Sequence, residues 1–151
     1  MMRTAPLLIG TLLSITLQRA PAQAPTPASQ PADTSALAVV RRYFVAYNAH
    51  DVDGVMSLLS PDITWLSVAG DSVSIESRGA AALRTDLTGY FKRLPSSRSE
   101  METSSVLGPW VSARERASWT AATGRRTQAS MSVYEVRDGL IRRVWYYPAA
   151  R

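Results

Sequence analysis

The spacing of apolar residues changes along this chain, from a helical period in its first half to alternation in its second. Leu37, Val40, Phe44 and Tyr47 recur every three or four residues, which places them on one face of a helix that Asp33, Thr34 or Ser35 can cap. Asn48-Ala49-His50 interrupts the pattern. Asp51 can then cap a second, shorter helix with the stripe Val52, Val55, Met56 and Leu59, ended by Pro61. Residues 63–68 and 72–76 read as two short strands around Ala69-Gly70-Asp71, with Trp65 on the Ile63 face. Leu83, Leu87, Tyr90, Phe91 and Leu94 mark a third helix, with Ser77 as a candidate cap and Pro95 as its stop.

Strands fill the remainder: residues 98–107, a Gly108-Pro109 turn, residues 110–122, a Thr123-Gly124 turn, and a final pair within 128–147. In that pair, runs rich in β-branched and aromatic residues flank Arg137-Asp138-Gly139. Asp-Gly between such runs signals a tight β-hairpin, because the turn needs positive φ. A hairpin cannot stand alone in water, so the helices must cover one of its faces and enclose whatever pocket exists. The order predicts an α+β fold.

Composition narrows the setting. The chain is 46% hydrophobic and 19% charged over 151 residues, which suits one globular domain. Met1-Met2-Arg3, the apolar run from Ala5 to Leu17 and the small residues around Ala22 and Ala24 read as a secretory signal peptide. The apolar run is too short for a membrane span. The expected organisation is a signal peptide over residues 1–22, a Pro/Ala/Gln/Thr linker over 23–32 and one domain over 33–151, secreted or periplasmic after cleavage. Cysteine is absent, so disulfides, thiolate chemistry and a lipid-anchored cysteine are excluded. Net charge falls from +5 to +3 once Arg3 and Arg19 leave with the signal. The remaining arginines form no basic stripe, and no nucleic-acid partner is expected.

The segments YNAHDVDGVMSLLSPDITW, RGAAALRTDLTGYF and VYEVRDGLIRRVWYYP resemble the nuclear transport factor 2-like superfamily, in its SnoaL-like branch. The resemblance runs from about Ala36 to Ala149. It implies a cone-shaped fold, with a curved antiparallel β-sheet wrapped around N-terminal helices, and a homodimer. It also implies a cavity for a small apolar molecule, used by isomerases, dehydratases, cyclases, epoxide hydrolases and non-catalytic binders alike. Compared with ketosteroid isomerase, Tyr43 stands where the resemblance places the oxyanion-hole tyrosine. Ser67 stands where the general base would be, and Ser132 where the second aspartate would be. Neither serine can abstract a proton from carbon. The polyketide-cyclase branch ends its last strand in aromatic-aromatic-Asp, whereas this chain has Tyr146-Tyr147-Pro148-Ala149.

The residue pattern itself singles out Glu115. Alternation puts it with Val111, Ala113, Ala117 and Trp119 on an apolar strand face. Two readings stand there: a desolvated general base, or a carboxylate paired at a rim or interface. Glu135 is the nearest competitor as base, expected to be solvated near its turn. Candidate catalytic residues are therefore Glu115 and Tyr43, and the candidate ligand pocket is Tyr47, Trp65, Ser67, Trp119, Ser132, Tyr134 and Tyr147. His50 beside Asp51 and Asp53 invites a metal reading but lacks a third convergent ligand, and neither a metal nor a cofactor is expected. Ala129, Met131 and Val133 alternate with Ser130, Ser132 and Tyr134. One row must face the helices, and the other is left for a second subunit.

Overall fold

The first helix, α1 (Ala36–Asn48), starts at Ser35, whose Oγ accepts a hydrogen bond from the Ala38 amide at 3.4 Å. The computed structural model describes residues 34–148; the expected signal peptide (1–22), linker (23–32) and candidate cap Asp33 lie outside the described residues. Asp51 caps α2 (Val52–Met56) by accepting from the Gly54 amide at 2.8 Å. Any side chain at Gly54 would run into that carboxylate, so the glycine is what lets the cap close. After the helix pair come β1 (Leu59–Ala69), β2 (Ser72–Arg78), α3 (Ala80–Arg93), β3 (Arg98–Leu107), β4 (Trp110–Ala121), β5 (Gly124–Arg137) and β6 (Leu140–Pro148).

The six strands form one open sheet in the order β2-β1-β6-β5-β4-β3. Register shifts interrupt four of its five ladders, and such irregularities bend and twist a sheet into a curved wall. Asp138 and Gly139, both at positive φ, make the β5–β6 turn, as the Asp-Gly pair predicts. One pairing departs from the antiparallel expectation. β1 runs parallel to β6, with Trp65 opposite Val144 and Ser67 opposite Tyr146, so the sheet is mixed. The chain between them is long enough to cross over through α3 and the β3–β5 meander, which a parallel pair requires.

Two boundaries also differ from the sequence reading. Leu59 and Pro61 belong to β1 rather than to the end of the second helix. Pro61 is tolerated because the β1–β6 ladder skips from Leu59 to Thr64, where a missing N–H breaks no pairing. Ser77 is the penultimate residue of β2, and α3 is capped instead by Gly79, which has no side chain to offer.

Val39, Val40, Tyr43 and Phe44 of α1 pack against Val111 and Ala113 of β4, Tyr134 and Val136 of β5, and Ile141 and Val144 of β6. Full burial of each branched or aromatic chain contributes about 1.5–3 kcal/mol before entropy is counted. α3 lies over β1 and β2. The concave side is thus closed by α1 at one end and by α3 at the other.

Candidate functional site

Between α1, α3 and the concave face of the sheet lies a cavity of about 800 Å³, a size suited to a small organic ligand. Its wall is mainly apolar and aromatic, with Tyr43, Phe44 and Tyr47 from α1, Trp65 from β1, and Leu83, Leu87 and Tyr90 from α3. Glu115 enters this wall from β4, with Ser99, Ser130 and Tyr146 around it.

The local fold holds Glu115 in place. Asn48, the last residue of α1, makes a two-way clamp with the Ser99 backbone: its Nδ2 donates to the Ser99 carbonyl and its Oδ1 accepts from the Ser99 amide, both at 2.8 Å. The Ser99 hydroxyl then donates to Glu115 Oε2 at 3.3 Å, and the Tyr134 hydroxyl donates to Oε1 at 2.6 Å. Ser132 stands close enough to stabilise the charged carboxylate, but it is not aligned for a hydrogen bond. Burial pushes the Glu115 carboxyl above its ordinary value, and the surrounding hydroxyls pull it back only in part. No ion pair reaches it among the described residues. A carboxylate raised in this way, with no cation beside it, is placed to exchange a proton with a molecule in the cavity.

Tyrosines surround it. Burial raises the Tyr43 phenol, and the charge of Glu115 raises it further. Tyr47 is raised by burial and then by the adjacent Tyr90 phenol, and Tyr146 by burial. All of these phenols therefore act as neutral donors across the physiological range. Ring contacts link Trp65 to Tyr43 at 6.4 Å between centroids and Tyr43 to Tyr134 at 5.8 Å.

Of the residues singled out from sequence, Tyr43, Glu115, Tyr47 and Trp65 come together on the cavity wall. Tyr134 and Ser132 stand behind Glu115, buried rather than lining. Ser67, Trp119 and Tyr147 are not on the wall. Ser67 sits at the outer end of the β1–β6 ladder, and Trp119 lies two residues beyond Ala117, the last lining residue of β4. Tyr147 pairs with Met131 on the opposite sheet face, because the register shift at Arg142 sets β6 so that Val144 and Tyr146 point inward. Alternation counted from Val144 singles out Tyr146.

Glu135 is buried, against the expectation of a solvated carboxylate, and it faces away from the cavity. Arg137 Nε lies 3.1 Å from it and Arg143 Nη1 3.6 Å. His50, at φ 55, stacks on Phe91 with centroids 4.2 Å apart, and its Nε2 lies 3.0 Å from the Ser97 carbonyl. It pins the helix junction to the start of β3. Among the described residues no cluster of His, Asp and Glu is arranged to hold a metal, and no helix there is long and apolar enough to cross a membrane.

The sequence profile of the SnoaL-like domain matches residues 40–144, spanning both walls of the cavity. The chain belongs to the SnoaL-like domain family. No curated protein matches it. Among solved structures, this SnoaL-like domain is similar to an uncharacterized cystatin fold protein from Novosphingobium aromaticivorans, with 25% identity and a TM-score of 0.65 over 74% of this chain and 97% of that one. It is similar also to an LEH-like epoxide hydrolase from M. tuberculosis, with 24% identity and a TM-score of 0.66 over 79% and 86% of the two chains. A protein of unknown function with a cystatin-like fold from Xanthomonas campestris shares 22% identity and a TM-score of 0.66 over 77% and 92%. At these identities the likeness speaks for the fold, and the chemistry has to be argued from the residues of this SnoaL-like domain.

Proposed function

We propose that this is an exported SnoaL-like protein that takes a small apolar or amphipathic molecule into its cavity and performs acid–base chemistry on it, of isomerase, hydratase or hydrolase type. One observation carries the reading: Glu115 is a buried carboxylate on the wall of a cavity of about 800 Å³, held by hydroxyls and raised by burial. In this role Glu115 accepts a proton from the bound molecule or from a water beside it. Tyr43 donates a hydrogen bond where negative charge develops. The similar fold of an epoxide hydrolase is consistent with water as the attacking group.

Native mass spectrometry of the purified protein tests this by revealing what is carried through purification. The expected result is a small amphipathic molecule that wild-type protein converts and the Glu115→Gln variant holds unchanged. One observation favours a non-catalytic carrier: Tyr134 and Ser99 already occupy both carboxylate oxygens. Recovery of the molecule unaltered from wild-type protein would decide for the carrier.

Two further parts of the proposal rest on other residues. Export predicts that the mature chain starts at Gln23 or within a residue or two of it, which N-terminal sequencing of exported protein reads directly. A homodimer is supported by the outer sheet face, where Met131 is 51% exposed beside Tyr147, and the Trp110 and Trp145 rings lie 5.5 Å apart. Sedimentation at micromolar concentration giving only monomer mass would refute it.

A further inference from the structure

Cross-strand pairing sets four polar residues in one row across the sheet. Arg78 of β2 stands opposite Thr64 of β1, Thr64 opposite Arg143 of β6, and Arg143 opposite Glu135 of β5. Partners in register point to the same side of a sheet. Trp65, next to Thr64, lines the main cavity, and Tyr134, next to Glu135, packs on Tyr43 and Phe44 of α1, so the row faces outward. The register shift in the β5–β6 ladder adds to it. Arg142 has no register partner between Ile141 and Arg143, and two consecutive arginines turn to one pocket, which strict alternation forbids. Arg137, two residues after Glu135, completes four guanidinium side chains around a pocket of about 350 Å³.

The ion pairs of the fold do not use these cations up. Glu135 holds Arg137 Nε at 3.1 Å and Arg143 Nη1 at 3.6 Å, and Asp138 holds Arg142 Nη2 at 3.5 Å. Each of the three arginines keeps about half of its side chain in solvent, and most of its N–H donors stay free. Arg78 makes no ion pair among the described residues. The Thr64 hydroxyl, in the middle of the row, has only a long contact of 3.5 Å with the Asp62 carbonyl. Glu135 and Asp62 are the carboxylates of the lining, and even with Asp138 counted the acids are fewer than the guanidinium groups. The pocket therefore keeps a positive charge.

We propose that this pocket is a second binding site, separate from the main cavity, and that it takes the phosphate group of a small phosphate ester. Donors reach its centre from several sides: Arg78 from β2, Arg142 and Arg143 from β6, Arg137 from the hairpin and Thr64 from between them. A planar carboxylate is satisfied by one guanidinium fork, whereas a tetrahedral phosphate offers oxygens to several forks at once and carries a charge of about −2. The volume leaves room for a small organic group on the ester. This site does not depend on any reaction in the main cavity.

Isothermal titration calorimetry on the full chain at low ionic strength tests the proposal, with inorganic phosphate, phenyl phosphate and acetate as probes. Wild type should bind both phosphates with dissociation constants of about 1 mM or tighter, and acetate about 10-fold more weakly. Arg78→Ala, which breaks no ion pair of the fold, should weaken both phosphates by about 10-fold or more, the worth of one charge-assisted hydrogen bond. Arg125→Ala removes the same charge at the other end of β5 and should change binding by less than about twofold. Equal losses in the two variants would reduce the effect to overall charge and overturn the proposal. So would acetate binding as tightly as phosphate, or wild type binding no phosphate. Sedimentation of the same proteins checks a rival occupant: a dimer that Arg78→Ala converts to monomer, with no phosphate bound, would assign the arginines to a subunit contact. Vesicles of phosphatidylcholine with and without phosphatidic acid separate the sources of phosphate, and no retention on either is expected. Retention that needs both phosphatidic acid and Arg78, with the free phosphates unbound, would overturn the small ester in favour of a lipid surface.

Discussion

Glu115 and Glu135 are both buried, on neighbouring strands of one sheet, and they are held in opposite ways. Glu115 faces the cavity and is held by the neutral hydroxyls of Tyr134 and Ser99. Glu135 faces outward and is held by the guanidinium groups of Arg137 and Arg143. With two guanidinium groups beside it, Glu135 serves as an ion-pair partner on the outer face. Hydroxyl donors stabilise the charged form less and leave the protonated form accessible when burial penalises charge. The same side chain is therefore an ion-pair partner on one face and, in the role proposed for Glu115, a proton acceptor on the other, and the difference lies in which neighbours the pleat supplies.

Replacing each carboxylate by its amide separates the two roles. Glu115→Gln keeps shape and removes the base, so turnover of the identified substrate should fall by about 100-fold or more while affinity changes little. Full activity in that variant would make Glu115 a structural residue. Glu135→Gln should leave turnover intact and lower stability by about 1–2 kcal/mol in denaturant titration. That is less than the roughly 3–5 kcal/mol of a fully buried pair, because both guanidinium groups are more than half in water. A loss of activity there, with stability unchanged, would reverse the assignment of the two faces. Tyr43→Phe tests the donor on the cavity side and should reduce turnover by less than the about 100-fold of a dedicated oxyanion donor, because neighbouring phenols share the load.

The comparison also explains what could be read from the sequence. Glu115 was legible because a carboxylate broke the alternation of an apolar strand, and the Asp138-Gly139 hairpin was legible because its turn chemistry is local. Glu135 was misread as solvated although one partner, Arg137, stands two residues along its own strand; the second, Arg143, is its cross-strand neighbour only after the β6 register shift, which no local pattern records. Tyr146 was missed for the same reason. The parallel β1–β6 pair was hidden because Leu59 fits a helical stripe and a strand equally well, and only the returning chain decides between them. Ser77 reads as a helix cap in sequence, since Ser is a common cap. In the fold Gly79 takes that place.

The finest test of the contrast is the pH at which the cavity carboxylate titrates. Burial holds the Glu115 carboxyl above its ordinary value, and the Tyr134 hydrogen bond is the largest influence opposing that rise. Two consequences follow with definite signs. The acidic limb of the rate profile should lie above the ordinary carboxylate range, since the base form must be populated for turnover. In the same window the folded protein binds the proton more tightly than the unfolded chain, so the contribution of Glu115 to stability is lost as pH rises through the folded value. Glu115→Gln should remove that slope from the melting-temperature profile. Tyr134→Phe should instead move the limb to higher pH, because the charged carboxylate loses the hydrogen bond that most opposes the rise. It should also destabilise the protein more above the limb than below it, because only the charged carboxylate loses a strong acceptor interaction. A limb unmoved in Tyr134→Phe, or one that moves to lower pH, would mean that the titrating group of the reaction is not Glu115.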